Sequence, residues 1–302
     1  MKLKLTLLSL VFTIFTVLIG CEPLLVLDPK GPQAATTANV IWISIATMAF
    51  IVIAVFVLLV FVLFKYRASK QSKDYEPPHI EGNKYVEGII VGIPVLIIIF
   101  LSIVSVKSTY EVESVPEGYE NQDPIVIYAS SSNWKWHFSY PEQDIETVNY
   151  VFIPTNQPIE FRLYSHGPIT SFWIPQLAGQ KYAMADMITT INLAAETPGE
   201  YMGRNANFSG EGFAENTFNV TALSNDEFDT WVDEIHDTAE PLTEDEFNEL
   251  LEPGHLGQMT YTGTHLDFSP APEGEHGGHD HGPELETDSS SDHGNSEHNN
   301  HE

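Results

Sequence analysis

Two long stretches without a single charged side chain constrain this chain more than any other feature. Val40 to Phe64 runs for 25 residues and Gly88 to Val106 for 19. As a helix, each is long enough to cross about 30 Å of hydrocarbon. A soluble core helix rarely stays apolar on every face for that length. The expectation is two transmembrane helices, over 38–66 and 85–107. Between them, Lys65, Arg67, Lys70, Lys73 and Lys84 put five of the 13 basic residues in one short connection. The positive-inside rule then makes 67–84 a cytoplasmic loop and sends both ends of the chain outward.

The N-terminus carries its own topological signal. Lys2 and Lys4 precede an uncharged apolar stretch from Leu5 to Gly20. That is the layout of a secretory signal. The Leu18-Ile19-Gly20-Cys21 sequence resembles a bacterial lipobox, in which cleavage precedes the cysteine and lipid is attached to it. Residues 1–20 are expected as the signal, Cys21 as the lipid (palmitate) site and 21–37 as an outer segment. An ordinary signal with a chance cysteine is the bland alternative. Cys21 is the only cysteine, which excludes an internal disulfide and any cysteine-built zinc or iron–sulfur site.

Charge is unevenly distributed. Residues 107–302 hold 5 Lys/Arg against 36 Asp/Glu, whereas the first 106 hold 8 against 6. So acidic a C-terminal part argues against nucleic acid as a partner, because phosphates are repelled. It suits a solvated outer domain, and would also suit a basic protein partner.

From about 116 to 223 the pattern becomes short β-rich runs between turn residues. Pro124–Ala129, Thr147–Ile153, Ile159–Leu163, Met187–Leu193 and Thr217–Ala222 read as strands. Thr155-Asn156-Gln157-Pro158, Gly167-Pro168 and Thr197-Pro198-Gly199 read as turns. Strands at this spacing predict an all-β sandwich or Greek-key barrel. Trp134-Lys-Trp136-His-Phe138-Ser-Tyr140 places four aromatics in seven residues. That is either a strand burying aromatics or an aromatic surface for a partner or an electron path.

Two spans, a Trp-x-Trp run and a β-barrel in that order resemble subunit II of the haem–copper oxidases, of the cytochrome c oxidase subunit II superfamily. Asn133-Trp-Lys-Trp136, Tyr140-Pro-Glu-Gln143, Ser171-Phe-Trp-Ile-Pro175, Tyr182-Ala-Met-Ala185 and Ser209-Gly-Glu-Gly-Phe213 are similar to its quinol-oxidising branch. The resemblance covers roughly 18–250 and implies a cupredoxin-like domain over 116–223. In the cytochrome c-oxidising branch that domain holds two coppers through an early His and a Cys-x-Glu-x-Cys-x3-His-x2-Met run. Those positions fall here on Thr170, Asn205, Asn207, Ser209, Phe213 and Asn216. Two bridging thiolates with imidazole and thioether are soft donors, and none of these six residues supplies one.

The resemblance therefore implies a chain with no metal or cofactor of its own. Haems and copper would belong to a partner subunit I, with smaller membrane subunits alongside. The complex would use quinol to reduce oxygen to water and translocate protons. It would sit in the cell membrane with this chain's barrel on the outer face. Glu87, at the start of the second span, is by position alone a solvated boundary carboxylate. The family places a Glu at the mouth of a proton path there, and Glu87 followed by Pro94 matches. Pro94 is expected to kink or break the helix. Other classes remain: a metal-binding surface lipoprotein, or a cytochrome c oxidase subunit II with a degraded copper site.

Ser224-Asn-Asp-Glu227 and Thr243-Glu-Asp-Glu246 open capping boxes. Phe228, Trp231, Val232 and Ile235, then Phe247, Leu250 and Leu251, follow at helical spacing. A helical extension is expected over 224–252 and an acidic, His-rich, disordered tail over 253–302. His276, His279, His281, His293, His298 and His301 can bind Zn, Cu or Ni weakly, which reads as adventitious.

Overall fold

The structure is a computed structural model that describes residues 24–67 and 82–273. Cys21, the signal, most of the basic connection and the tail histidines lie outside the described residues.

Helix α1 spans Pro32–Lys65 and α2 spans Lys84–Glu113. Pro32 sits at the first position of α1, where its missing N–H costs nothing. Asn83 caps α2, its side-chain oxygen accepting from the Tyr85 and Val86 amides. Pro94 lies inside α2, which continues past it. In both helices the most apolar window is wholly unburied within the chain. Apolar faces this long need lipid or neighbouring protein around them; the chain is a membrane protein.

The domain that follows the helices contains, among the described residues, eleven strands: β1 Ile125–Ser132, β2 Lys135–Tyr140, β3 Ile145–Val148, β4 Tyr150–Pro154, β5 Pro158–Ser165, β6 Thr170–Trp173, β7 Gln180–Ala183, β8 Thr189–Ala194, β9 Gly199–Asn205, β10 Thr217–Leu223 and β11 Met259–Thr262. They form a six-stranded sheet, β11-β3-β2-β1-β5-β8, facing a five-stranded sheet, β4-β10-β9-β6-β7. The pairs β1/β5 and β4/β10 are parallel, whereas the other pairs are antiparallel. Parallel neighbours cannot be joined by a tight hairpin, so the chain crosses from one sheet to the other between them, as in a two-sheet sandwich.

The stretch Thr147–Ile153, expected as one strand, is two. Asn149 takes a φ of +59° between β3 and β4, and the chain passes there from one sheet to the other. Asparagine tolerates this left-handed backbone. Its amide then ties the corner: Oδ1 accepts from the Trp136 N–H at 3.0 Å and Nδ2 donates to Leu256 O at 2.8 Å.

The core is aromatic. Trp136, Phe138, Phe161, Phe172 and Phe218 are fully or almost fully buried between the sheets. Phe172 and Phe218 stack at 5.0 Å, and Trp136 meets Phe172 edge-on at 5.2 Å. Burying such side chains stabilises by about 2–3 kcal/mol each.

Helix α3, Asn225–Thr238, begins with the complete Ser224–Glu227 capping box and buries Phe228 and Trp231. Helix α4, Glu244–Leu250, is capped by Thr243 and buries Phe247 and Leu250. Order does not stop at the expected boundary near 253. Strand β11 adds to the edge of β3, and Leu242, Phe247, Leu250 and Tyr261 pack with Val148 in a second core. The part of 253–302 up to residue 273 is therefore structured, because an edge strand was free to be covered.

Helices and barrel meet where α1 begins. Gln33, Ala34 and Ala38 are buried. The Lys30 amide donates to Gln176 O at 2.7 Å and Glu196 N to Lys30 O at 2.9 Å. A Cβ on Gly31 would lie 2.1 Å from Ala194 O, so only glycine fits that approach. Glu113 at the end of α2 pairs with Lys181 of β7.

Candidate functional site

One end of the sandwich gathers the six positions that the resemblance singled out. Thr170 opens β6 and is buried, its hydroxyl 2.6 Å from Ser131 Oγ. Asn205 closes β9 and is buried. Its Oδ1 accepts from Ser171 N at 2.8 Å and Asn207 N at 2.9 Å, and its Nδ2 donates to Ser209 Oγ at 2.9 Å. Asn207 Nδ2 donates to Ile169 O at 2.9 Å. Both loops are thus tied through side-chain amides, with Asn205 as the knot.

Phe213 turns outward and packs against Phe208 at 5.6 Å. Asn216 is 1% exposed. Its amide has no hydrogen-bond partner among the described residues. With Trp173, Arg204 and Phe213 it lines an open pocket of about 270 Å³. The oxygens here are neutral amides and hydroxyls, and those of Asn205 and Thr170 already carry hydrogen bonds. A soft copper ion is held by thiolate, imidazole or thioether, and this donor set does not fit one.

The two tryptophans of the aromatic run part ways. Trp136 belongs to the core. Trp134 takes a φ of +73° in the β1–β2 turn. Its indole N–H donates to Ser209 O at 3.2 Å, and its ring fills the space over Gly212, where a Cβ would fall 2.4 Å from it. It braces the Ser209–Phe213 loop from outside. Glu87 is exposed in the first turn of α2, where the helix N-terminus favours a carboxylate.

Sequence reasoning missed a second polar cluster, beneath α4. Glu146 of β3 and His265 are both fully buried. His265 Nδ1–H donates to Glu146 Oε1 at 2.8 Å, which leaves Nε2 to accept from the Tyr164 hydroxyl at 2.5 Å. Phe247 stacks on the His265 ring at 4.4 Å. His137, in the aromatic run, is fully buried with Nε2 2.7 Å from Ser132 Oγ. Burial, then the neighbouring His265 and His166, push its pKa well below the usual imidazole range. Burial, then His265, lower His166 to about 4. Lys135 is 1% exposed, its ammonium capped by the carbonyls of Glu252 at 2.5 Å and Gly254 at 2.9 Å. Burial lowers its pKa. The only sequence signal was a Lys and a His set inside an aromatic strand.

Two membrane-length helices feeding a two-sheet domain of this connectivity define a subunit II of the haem–copper oxidase class. The family described as cytochrome c oxidase subunit II, transmembrane domain, matches residues 28–108. Quinol oxidase subunit 2 of Bacillus cereus is 47% identical over 250 residues, 82% of this chain and 86% of its own. The Bacillus subtilis protein of the same name is 45% identical over 268 residues, 88% and 83% respectively. The periplasmic domain of cytochrome oxidase subunit II from Bradyrhizobium japonicum matches 37% of this chain and 94% of its own at 19% identity, with a TM-score of 0.36. The chain belongs to the quinol oxidase subunit 2 family. It is a respiratory oxidase subunit II, one component of an oxidoreductase complex.

Proposed function

We propose that this chain is the copper-free subunit II of a proton-translocating quinol oxidase, with its barrel on the outer face of the cell membrane. The observation that carries the reading is the loop end of the barrel, where the Asn205 side chain fills the knot with three neutral amide or hydroxyl contacts. A domain without a soft-donor centre has no group that accepts one electron from cytochrome c and holds it. Electrons then enter the complex from a membrane quinol, at subunit I, where haems and copper supply the chemistry that reduces oxygen to water. This chain caps subunit I, and α1 and α2 fix the cap to the membrane.

On this reading Glu87 collects protons. A carboxylate at the cytoplasmic water boundary takes a proton from solvent and passes it on through water. Lipid on Cys21 would add a tether to two helices that already insert. The basic connection and the lipobox-like Leu18-Ile19-Gly20-Cys21 support the same orientation.

The test is spectroscopic. The purified complex, stripped of loosely bound metal, should lack the near-infrared band of a paired copper centre. A band that persists in this chain would overturn the reading. Replacing Cys21 with Ala should abolish incorporation of labelled palmitate; continued labelling would remove the lipid site.

A further inference from the structure

The tyrosines of the β domain differ in what their hydroxyls meet. Tyr140 O–H donates to the Phe152 carbonyl at 3.0 Å, and Tyr201 O–H to the Thr197 carbonyl at 2.5 Å. Tyr150 pairs with the Thr260 hydroxyl. Tyr128 accepts from the Arg162 guanidinium at 2.9 Å. None of those partners takes up a proton at ordinary pH. Tyr164 differs. Its O–H donates to His265 Nε2 at 2.5 Å, and His265 Nδ1–H donates to Glu146 Oε1 at 2.8 Å. Among the described residues it is the only tyrosine whose hydroxyl is hydrogen-bonded to an imidazole.

That difference matters when an electron leaves. A phenol that loses one electron becomes a strong acid and must shed its proton. In a dry interior a proton with nowhere to go leaves a costly buried charge. Around Tyr164 the proton moves along an existing hydrogen bond to His265 Nε2. The imidazolium so formed faces the Glu146 carboxylate, and the pair ends as a hydrogen-bonded ion pair. All three residues are fully or almost fully buried, and Phe247 stacks flat on the His265 ring at 4.4 Å. The geometry is therefore held before any electron moves. Tyr164 nevertheless forms part of the wall of an open pocket of about 400 Å³, beside His166 and Asp186, whereas His265 and Glu146 lie outside that wall. Electron and proton thus have separate exits. Residues 107–302 hold 36 Asp/Glu against 5 Lys/Arg, a field that repels anionic oxidants and admits neutral ones.

We propose that Tyr164 is a redox-active tyrosine, giving one electron to small neutral oxygen radicals of the peroxyl class that enter the pocket, and its proton to His265. The peroxyl radical becomes its anion and takes a proton from water, leaving as a hydroperoxide. The phenol becomes a neutral phenoxyl radical and His265 an imidazolium. One electron from a small reductant of the enediol class then draws the proton back from His265 to the phenoxyl oxygen and restores the starting state. The site is independent of the donor that feeds the complex, so its failure leaves the oxidase reading untouched.

The experiment uses the purified complex in its oxidised resting state, so that no reduced centre competes as donor. A cationic ruthenium polypyridyl sensitiser with a sacrificial acceptor supplies one oxidising equivalent per complex under light. Freeze-quenched electron paramagnetic resonance should show a neutral tyrosyl radical, narrowed by ring-deuterated tyrosine and coupled to an exchangeable proton from the His265 hydrogen bond. Tyr164→Phe removes only the hydroxyl and should lose this signal. Tyr128→Phe, whose ring lies 6.5 Å away, should keep it. The same signal should form with peroxyl radicals released by a thermal azo initiator, and added ascorbate should abolish it. An undiminished signal in Tyr164→Phe would overturn the proposal, as would a radical without the exchangeable proton. No signal with the azo initiator would overturn the assignment of the oxidant.

Discussion

Asn205 shows how a single side-chain amide can organise two loops. Its amide serves three backbone and side-chain partners, all buried or half-buried. Changing Asn205 to Ala strands the Ser171 and Asn207 amides and should destabilise the β domain by about 2–3 kcal/mol. A melt of the purified complex checks this, and an unchanged midpoint would mean that water replaces the amide freely. Gly212 makes a complementary case. Any Cβ there strikes the Trp134 ring, so Gly212→Ala should cost about 1–3 kcal/mol through overpacking, read in the same melt. Glu87→Gln should slow oxygen uptake while leaving assembly intact; full turnover would remove the carboxylate from the proton path. At this scale the sequence was informative where chemistry is local. Ser224 and Thr243 were readable as caps because a cap needs only its own next three residues. Glu146 and His265 were not, because 119 positions separate them and no periodicity links them.

The C-terminal extension behaves as an element with its own hold on the barrel. It brings β11 to a bare edge, Phe247 into a histidine cluster and two carbonyls to Lys135. Phe247→Ala should cost about 3–5 kcal/mol. Hydrogen exchange should rise across 241–270 more than in β1 or β5; uniform exchange would show that the extension and barrel open together. Acid should act on the same element. His137 and His166 have folded pKa values below their usual 6.5, so the folded state favours the neutral rings. Their contribution is complete above about pH 6.5 and is lost as pH falls toward 4. For His166 this amounts to at most about 3 kcal/mol. Exchange from the extension should quicken between pH 6.5 and 4; a flat profile would contradict the buried neutral imidazoles. The helices of this element could be read from their caps and apolar spacing. Strand β11 could not, since Met259–Thr262 is too short to show alternation and owes its conformation to the edge of β3.

For the molecule as a whole, hydropathy was the most legible property, because lipid tolerates few alternatives to a long apolar helix. The two-sheet domain was legible as a class from its turns and β-rich runs. Its strand count was not: Thr147–Ile153 hides a corner at Asn149, and the crossovers are set by packing between sheets. Together these parts describe a subunit whose β domain fills its loop end with amide and hydroxyl contacts. The most direct test is oxygen uptake by the purified complex, driven in turn by a reduced membrane quinol and by reduced cytochrome c. The account predicts sustained uptake with quinol and none with cytochrome c. Uptake driven by cytochrome c, with quinol inactive, would contradict it.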